Sequence, residues 1–174
     1  MAEANYHGIV RVNPAGLVGN VTVAVTRPND TTQYAVNDAL SSSTSAPAVA
    51  TLSGVVSSNG GAGIVRGATL VKSGTATTDA ALTVLLLRNT FTGLEDNAAV
   101  DLSDAEARTI IGGFSFAEAD ALALGANVVW CKTNLDIPFV CESTSDDLYV
   151  VFRWDDTYTP AAQERFDLTL LIER

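Results

Sequence analysis

Apolar and polar residues alternate in several stretches of the chain, which is the pattern of β-strands with one buried and one exposed face. The alternation is clearest at residues 21–26, 148–154 and 166–172, where aliphatic or aromatic residues take every second position. Turn sequences rich in Gly, Pro and Asn separate these stretches. We therefore predict an all-β protein, an antiparallel β-sandwich of roughly eight to ten strands.

Residues 82–87 do not follow this alternation, because the segment carries apolar residues on both faces. A sandwich strand with one solvated face does not need such a sequence, so something must cover the second face. The cover is the short helix described below, an N-terminal arm or another subunit. The mean hydropathy of +0.22 favours a subunit interface, and we expect a homo-oligomer, with a trimer favoured over a dimer.

One short helix is predicted near residues 103–111, where it interrupts the β pattern. Ser103 can cap the first free N–H groups, and Glu106 completes a capping box with it. Gly112 then predicts a left-handed stop. A helix of about two turns is not stable alone, so we expect Ile110 and Ile111 to pack against the sheet.

The length of 174 residues fits one domain with a sufficient core. We assign residues 21–174 to a single β-sandwich domain and residues 1–20 to a candidate N-terminal arm. The N-terminus lacks a basic and apolar signal segment, and no apolar run reaches the roughly 18 residues of a membrane span. We therefore expect a soluble protein made in a cytosol, with no membrane partner.

The charge balance argues against a nucleic-acid partner. The formal net charge is -10, and the 10 Lys and Arg residues are scattered singly along the chain. Binding to a nucleic-acid backbone requires clustered cationic contacts. We therefore expect no direct contact with nucleic acid.

The two cysteines, Cys131 and Cys141, flank an apparent hairpin around residues 134–136. This placement permits either a cross-strand disulfide or two buried thiols. Two cysteines without a CxxC pair or an export signal do not make a disulfide framework, so reduced structural thiols are favoured.

The residues that usually carry catalysis are scarce. His7 is the single histidine, so neither a histidine-based metal site nor a proton relay can form. Asp146-Asp147 and Asp155-Asp156 lack the spacing of a calcium loop and are interpreted as solvated turns. Trp154 falls in register with core positions, whereas Trp130 stays open as part of an aromatic platform for a sugar. We predict that the protein is not an enzyme.

The order of several segments from about residue 21 onward forms a more specific pattern. The segments are a Gly-rich hairpin leading into a strand (60–71), the apolar strand 82–87, the short helix ending at Gly112, the piece 135–139 and the strands at 148–154 and 166–172. In this order they resemble the head decoration, or cement, proteins of tailed bacteriophages. The resemblance implies a jelly-roll-like β-sandwich.

The resemblance also implies a function and partners. A cement protein is a structural virion protein that binds the major capsid protein on the outer capsid surface, bridges capsomers and is assembled in the host cytoplasm. It needs no cofactor and no metal. The candidate interface residues are Tyr6, His7, Asn13, Glu95, Asp96, Asn97 and Trp130. The alternative is a carbohydrate- or receptor-binding sandwich, such as a tail accessory protein or an adhesin.

Overall fold

The computed structural model describes residues 18–73 and 80–174. Within them the chain forms nine strands, which are β1 Val18–Thr26, β2 Ala50–Leu52, β3 Ala62–Ser73, β4 Leu82–Leu87, β5 Ile110–Phe116, β6 Leu122–Leu124, β7 Asn127–Val140, β8 Leu148–Trp154 and β9 Arg165–Glu173. Helix α1, Asp104–Ala107, lies between β4 and β5, and a 3-10 turn, Glu118–Asp120, precedes β6. Because β1 begins at Val18, the sheet includes the end of the segment that we assigned to an arm.

The strands form two antiparallel sheets that face each other. The five-stranded sheet has the order β1-β9-β3-β7-β6, and the four-stranded sheet has the order β2-β8-β4-β5. The chain passes from one sheet to the other at every connection except β4–β5 and β6–β7. This order is that of a jelly roll, and the predicted antiparallel sandwich is confirmed.

The connection at Gly60 shows how the jelly roll differs from a row of hairpins. Gly60 has a left-handed φ of 69° and lies in the turn before β3. We predicted a hairpin there, but β2 and β3 belong to different sheets. The turn therefore carries the chain across the sandwich.

The inner faces of the two sheets form one hydrophobic core, as the alternation predicted. β1 and β9 contribute alternate residues to it, and so do β3 and β8; among the fully buried members are Leu70, Val84, Phe152, Trp154, Phe166 and Leu168. Trp154 stacks on Tyr158 with ring centroids 4.3 Å apart. Residues that alternate along these strands therefore meet between the sheets, where burial of each large side chain contributes about 1.5–3 kcal/mol.

The helix is shorter than predicted, and its C-terminal part is a strand. The capping box of Ser103 and Glu106 is present, but α1 ends at Ala107 and β5 begins at Ile110. Our prediction of Ile110 and Ile111 as helical was wrong. Ile110 pairs with Leu87 of β4 instead, and Ile111 lies at an irregularity in the β4–β5 register, because an existing sheet edge offers hydrogen bonds that a two-turn helix lacks.

Gly112 is also not the helix stop that we predicted, since it lies inside β5. A Cβ at Gly112 would lie 2.7 Å from Ile137 Cγ2, and a Cβ at Gly113 would lie 2.9 Å from Leu85 Cδ2. The two glycines therefore let β5 pack closely against its neighbours. Their role is close approach and not a left-handed conformation.

The hairpin predicted between the cysteines is a bulge in one long strand. β7 runs from Asn127 to Val140, and Asn134 and Asp136 adopt left-handed φ values of 59° and 50° within it. Both cysteines are free thiols, but Cys131 is exposed, so only Cys141 is the buried thiol that we predicted. An extended strand separates them by far more than the roughly 6 Å between the Cα atoms of a disulfide.

Candidate interaction surfaces

The outer face of the four-stranded sheet is covered by the segment between β4 and β5. Leu87, Phe91 and Val151 form a second, smaller core on this face, separate from the one between the sheets. The residues packed around it are Val49, Leu85, Leu94, Val100, Leu102, Ile110 and Tyr149. This cluster explains why residues 82–87 are apolar on both faces. The cover is the segment 88–109, which includes the predicted short helix.

Backbone pairing fixes this cover to the segment between β1 and β2. Leu94 and Ala48 form an isolated antiparallel bridge, and Asp38 and Ala99 form another. The Asp96 N–H donates to the Ser43 carbonyl at 2.6 Å. Two long connections thus hold each other on the sheet surface, where neither alone would have a complete set of hydrogen-bond partners.

A buried ionic cluster lies under the same cover. The side chains of Arg27 and Asp96 are both fully buried, with Arg27 Nη2 2.9 Å from Asp96 Oδ2. Asp96 Oδ1 accepts from the Tyr34 hydroxyl at 2.6 Å and from the Ser41 N–H at 2.9 Å. The Arg27 Nε also donates to the Tyr34 hydroxyl. One carboxylate therefore joins the end of β1 to both long connections.

The electrostatics of this cluster favour a neutral Tyr34. Burial raises the pKa of the Tyr34 hydroxyl above its ordinary value, and the neighbouring Asp96 carboxylate raises it further. Tyr34 therefore remains a hydrogen-bond donor to Asp96 at any physiological pH. Sequence reasoning missed Arg27 and Tyr34, because residues so far apart from Asp96 in the chain carry no common spacing signal.

The capping box of α1 contributes a further link to the cover. Glu106 Oε2 accepts from the Ser103 hydroxyl at 2.7 Å, and Glu106 Oε1 accepts from the Thr92 N–H at 2.6 Å. These hydrogen bonds, that of Ser103 first, lower the pKa of the Glu106 carboxyl to about 2. The capping box therefore holds the start of the covering segment in place. The Glu106 carboxylate serves this contact and not the binding of a ligand.

The predicted interface residues do not form one site. Asp96 is buried in the ionic cluster, while Glu95 and Asn97 on either side are half-buried in the cover. Trp130 is 2% exposed, and its Nε1 donates to the Ala117 carbonyl at 3.1 Å. Neither Asp96 nor Trp130 presents its side chain to a partner, and Trp130 is not an aromatic platform for a sugar. Tyr6, His7 and Asn13 lie outside the described residues.

The outer face of the five-stranded sheet contrasts with the covered one, because its centre is solvent-accessible. The strand register places Thr22, Thr169, Thr69 and Cys131 in one row across β1, β9, β3 and β7. Thr22 and Cys131 are exposed, and Leu171 in the next row is 40% exposed. We call this surface, centred on the threonine row, the bare face.

Charged groups lie at the two ends of the bare face. At one end Arg66 is 2.5 Å from both Glu173 and Asp136. At the other end Arg165 pairs with Asp167 at 2.8 Å. The middle row carries small, uncharged side chains, and a shallow depression of about 470 Å³ there is lined by this row together with Arg66 and Lys132. A surface of this kind suits contact with another protein more than chemistry on a small molecule.

Two further concavities lie at the sides of the sandwich. A cleft of about 230 Å³ opens where β1 faces β2, and its walls include Val23, Val25 and Leu40. A wider groove of about 620 Å³ lies where β3 begins and β7 ends, beside Arg88 and Glu173. In both, the lining is mostly apolar or backbone, without the paired carboxylates that a hydrolase requires.

One carboxylate of each pair singled out from the sequence, Asp147 and Asp155, has structural partners. Asp147 Oδ1 accepts from the Gly54 N–H at 3.0 Å, and Asp155 accepts from Thr83 and from Arg153. Across residues 18–73 and 80–174, no group of three or more His, Cys, Asp and Glu side chains is arranged to hold a metal ion. These carboxylates therefore fix loops.

Comparison with known proteins adds no identification. No family model matches the chain, and no curated protein matches it. Among the described residues, none of the helices has the length and apolar character needed to span a bilayer. The function is therefore inferred from the surfaces described above.

Proposed function

We propose that the protein is a structural virion protein that binds the outer surface of a tailed-bacteriophage capsid and stabilises it by bridging capsomers. The observation that carries the proposal is the bare face, an open sheet surface whose middle row is uncharged in a chain with a net charge of -10. The jelly-roll order of the strands agrees with the architecture that the sequence resemblance implies. The partner is the major capsid protein, and assembly takes place in the host cytoplasm.

The chemistry of the bare face fits a docking role. The hydroxyls of Thr22 and Thr169 form a hydrogen bond with each other at 2.8 Å. Because these polar groups already have a partner within the protein, their removal from water on binding costs little free energy. β-branched side chains on a sheet also have few rotamers to lose on binding. Such a face binds by shape and apolar contact, whereas the acidic remainder of the surface keeps decorated particles apart.

The size of the bare face indicates how it must be used. Four strands at about 4.8 Å spacing and about seven residues at 3.3 Å rise give a footprint of roughly 400 Å². A stable interface buries about 800 Å² on each partner. One copy therefore binds weakly, and firm attachment needs several contacts at once, as a repetitive shell provides.

The direct test adds purified protein to undecorated capsids and images the particles by cryo-electron microscopy. We expect ordered, saturable density on the outer surface, with the bare face turned toward the shell. Particles that stay undecorated at saturating protein overturn the proposal. Binding to glycans on an array, with no binding to capsids, favours the carbohydrate-binding alternative instead.

A matched pair of variants tests which surface is used. Leu171→Glu places a charge on the bare face, where Leu171 is 40% exposed, and we expect capsid binding at least tenfold weaker. Val36→Glu makes the same kind of change at a residue that is 50% exposed on the connection between β1 and β2. We expect Val36→Glu to bind like the wild type. Equal losses for both variants contradict the assignment to the bare face.

A further inference from the structure

β1 is an edge strand without the features that usually protect sheet edges. It lies at the end of the five-stranded sheet and runs for nine residues in regular register with β9. Its sequence, VGNVTVAVT, has no charge and no proline. Long, flat and uncharged edges readily pair with another strand, and proteins block them with charges, prolines, bulges or short strands.

The other edge strands of the described sheets are protected or short. β2 and β6 have three residues each. β5 has seven, but Gly112 draws it against Ile137 of β7, which closes that side of the sandwich. β1 contacts β2 across the sandwich in a similar way, but it lacks the register irregularity that β5 has, and outside its pairing with β9 no described residue hydrogen-bonds to its backbone. Among the described strands at the ends of the two sheets, β1 is therefore the longest uncharged and regular edge.

The flank of β1 that faces β2 is also uncharged, and the charged residues paired with β1 on β9 are Glu173, Asp167 and Arg165. No charged residue occurs between Asp38 and Arg66, and this stretch contains the wall of the cleft beside β1. In a chain of net charge -10, this flank is where two like-charged copies can approach with the least repulsion.

We propose that β1 pairs in antiparallel fashion with β1 of a second copy of this chain, about a two-fold axis at Thr22. Thr22 is the middle residue of Val18–Thr26, so this register gives the greatest overlap. It sets Val21 opposite Val23 and Asn20 opposite Ala24. The same edge meets itself, which is the condition for a closed two-fold dimer.

The side-chain alternation of β1 fits this register. Val21, Val23 and Val25 face the core and are buried, while Thr22 and Ala24 face outward and are exposed. The pairing keeps valines opposite valines on the inner side, where they extend the apolar wall of the cleft. The added backbone hydrogen bonds give affinity, and the cleft accepts side chains from the inner side.

The dimer has a consequence that rests on the proposed function. Rotation about an axis normal to the sheet joins the two five-stranded sheets into one and leaves both bare faces on the same side. The combined footprint, roughly 800 Å², reaches the size of a stable interface and spans two binding positions. An edge that pairs with itself closes after two copies, so this inference yields a dimer where the sequence favoured a trimer.

The first test measures self-association of the purified full chain without capsids, by light scattering and sedimentation. The wild type is expected to be a dimer. Thr22→Lys brings two like charges together on the axis and is expected to raise the dimer dissociation constant at least tenfold. The matched control is Thr133→Lys, an exposed threonine on β7, which is expected to remain dimeric. Equal circular dichroism spectra and melting temperatures show that the variants fold.

The second test fixes the register by cross-linking in a Cys131→Ser background. Thr22→Cys is expected to form a disulfide-linked dimer under mild oxidation, because residue 22 meets its own copy. Ala24→Cys lies opposite Asn20, roughly 13 Å along the strand from its own copy, and is expected not to cross-link. Cross-linking at Ala24 and not at Thr22 overturns the register.

The remaining outcomes also decide the proposal. A wild type that is monomeric or trimeric at micromolar concentration overturns it. A monomer rejects the second copy as occupant, and a capsid strand seen beside β1 in the cryo-electron microscopy map of decorated particles assigns the edge to the capsid protein instead. A dimer that fails to bind capsids rejects the proposed function and leaves this inference standing.

Discussion

The two outer faces of the sandwich differ in what lies over them. The four-stranded sheet carries the segment 88–109, which buries a second apolar cluster and a charged cluster. The five-stranded sheet carries only small side chains in rows, and its centre is open. The four-stranded sheet has shorter strands, of at most seven residues, and the long connection between β4 and β5 folds back over its outer face. A face with large apolar residues is covered by its own chain, whereas the described residues leave the bare face open.

Side chains on the covered face and on the bare face are expected to affect different properties, folding stability and binding. Side chains under the cover contribute to folding, because their removal leaves cavities or unpaired charges. Side chains on the bare face have little effect on folding, because they are already solvated. Changes at the covered face should therefore alter the free energy of unfolding, and changes at the bare face should alter binding alone.

The largest effect is expected from Asp96→Ala, because it removes the buried carboxylate and leaves the partly exposed Asp30 as the ion-pair partner of the Arg27 guanidinium. We expect the free energy of unfolding to fall by about 3–5 kcal/mol, measured by urea denaturation. Glu95→Ala, next in the chain and half-buried, is the control and should cost less than about 1 kcal/mol. Similar losses for the two variants argue that the cluster does not hold the cover.

A second comparison applies the same truncation to both faces. Phe91 is 7% exposed under the cover, and Phe91→Ala should cost about 3 kcal/mol through the lost burial and the cavity. Leu171→Ala on the bare face should cost less than about 1 kcal/mol. Thermal and urea unfolding measure both, and a large loss at Leu171 means that the bare face is buried in solution.

The capping box makes part of the cover sensitive to acid. The pKa of Glu106 is about 2 in the folded protein, below its ordinary 4.5, so the carboxylate stabilises the fold above pH 4.5. This contribution is lost as the pH falls from 4.5 toward 2. The melting-temperature difference between wild type and Glu106→Gln should therefore shrink over that range, and a constant difference excludes the hydrogen bonds to Ser103 and Thr92 as its cause.

The smallest perturbation is alkylation of the two thiols. Cys131 lies exposed on the bare face and should react in the native protein. Cys141 is buried, and burial together with Asp146 and Asp147 raises its pKa to about 11, so it should react only on unfolding. Mass spectrometry of partially labelled protein distinguishes the sites, with Cys131→Ser as the control. Slow labelling of Cys131 indicates that something covers the bare face.

Several elements were predictable because they depend on neighbours in sequence. The alternation in β1, β8 and β9 and the capping box at Ser103 were correctly assigned. The predictions were wrong where the same residue type is compatible with two local structures. Asn134 and Asp136 are turn residues that form a bulge, and Gly112 is a stop residue that serves close packing. In both cases an adjacent strand decided the outcome.

The sequence by itself determined the fold class, the acidic charge and the positions of most strands, because alternation and composition are local properties. It also showed that residues 82–87 need cover on two faces. Only the tertiary structure decided what provides the cover, since the contacts of Arg27 and Tyr34 with Asp96 join distant parts of the chain. It likewise decided which sheet face stays open and which strand lies at the edge. Those properties follow from strand order, which local sequence does not encode.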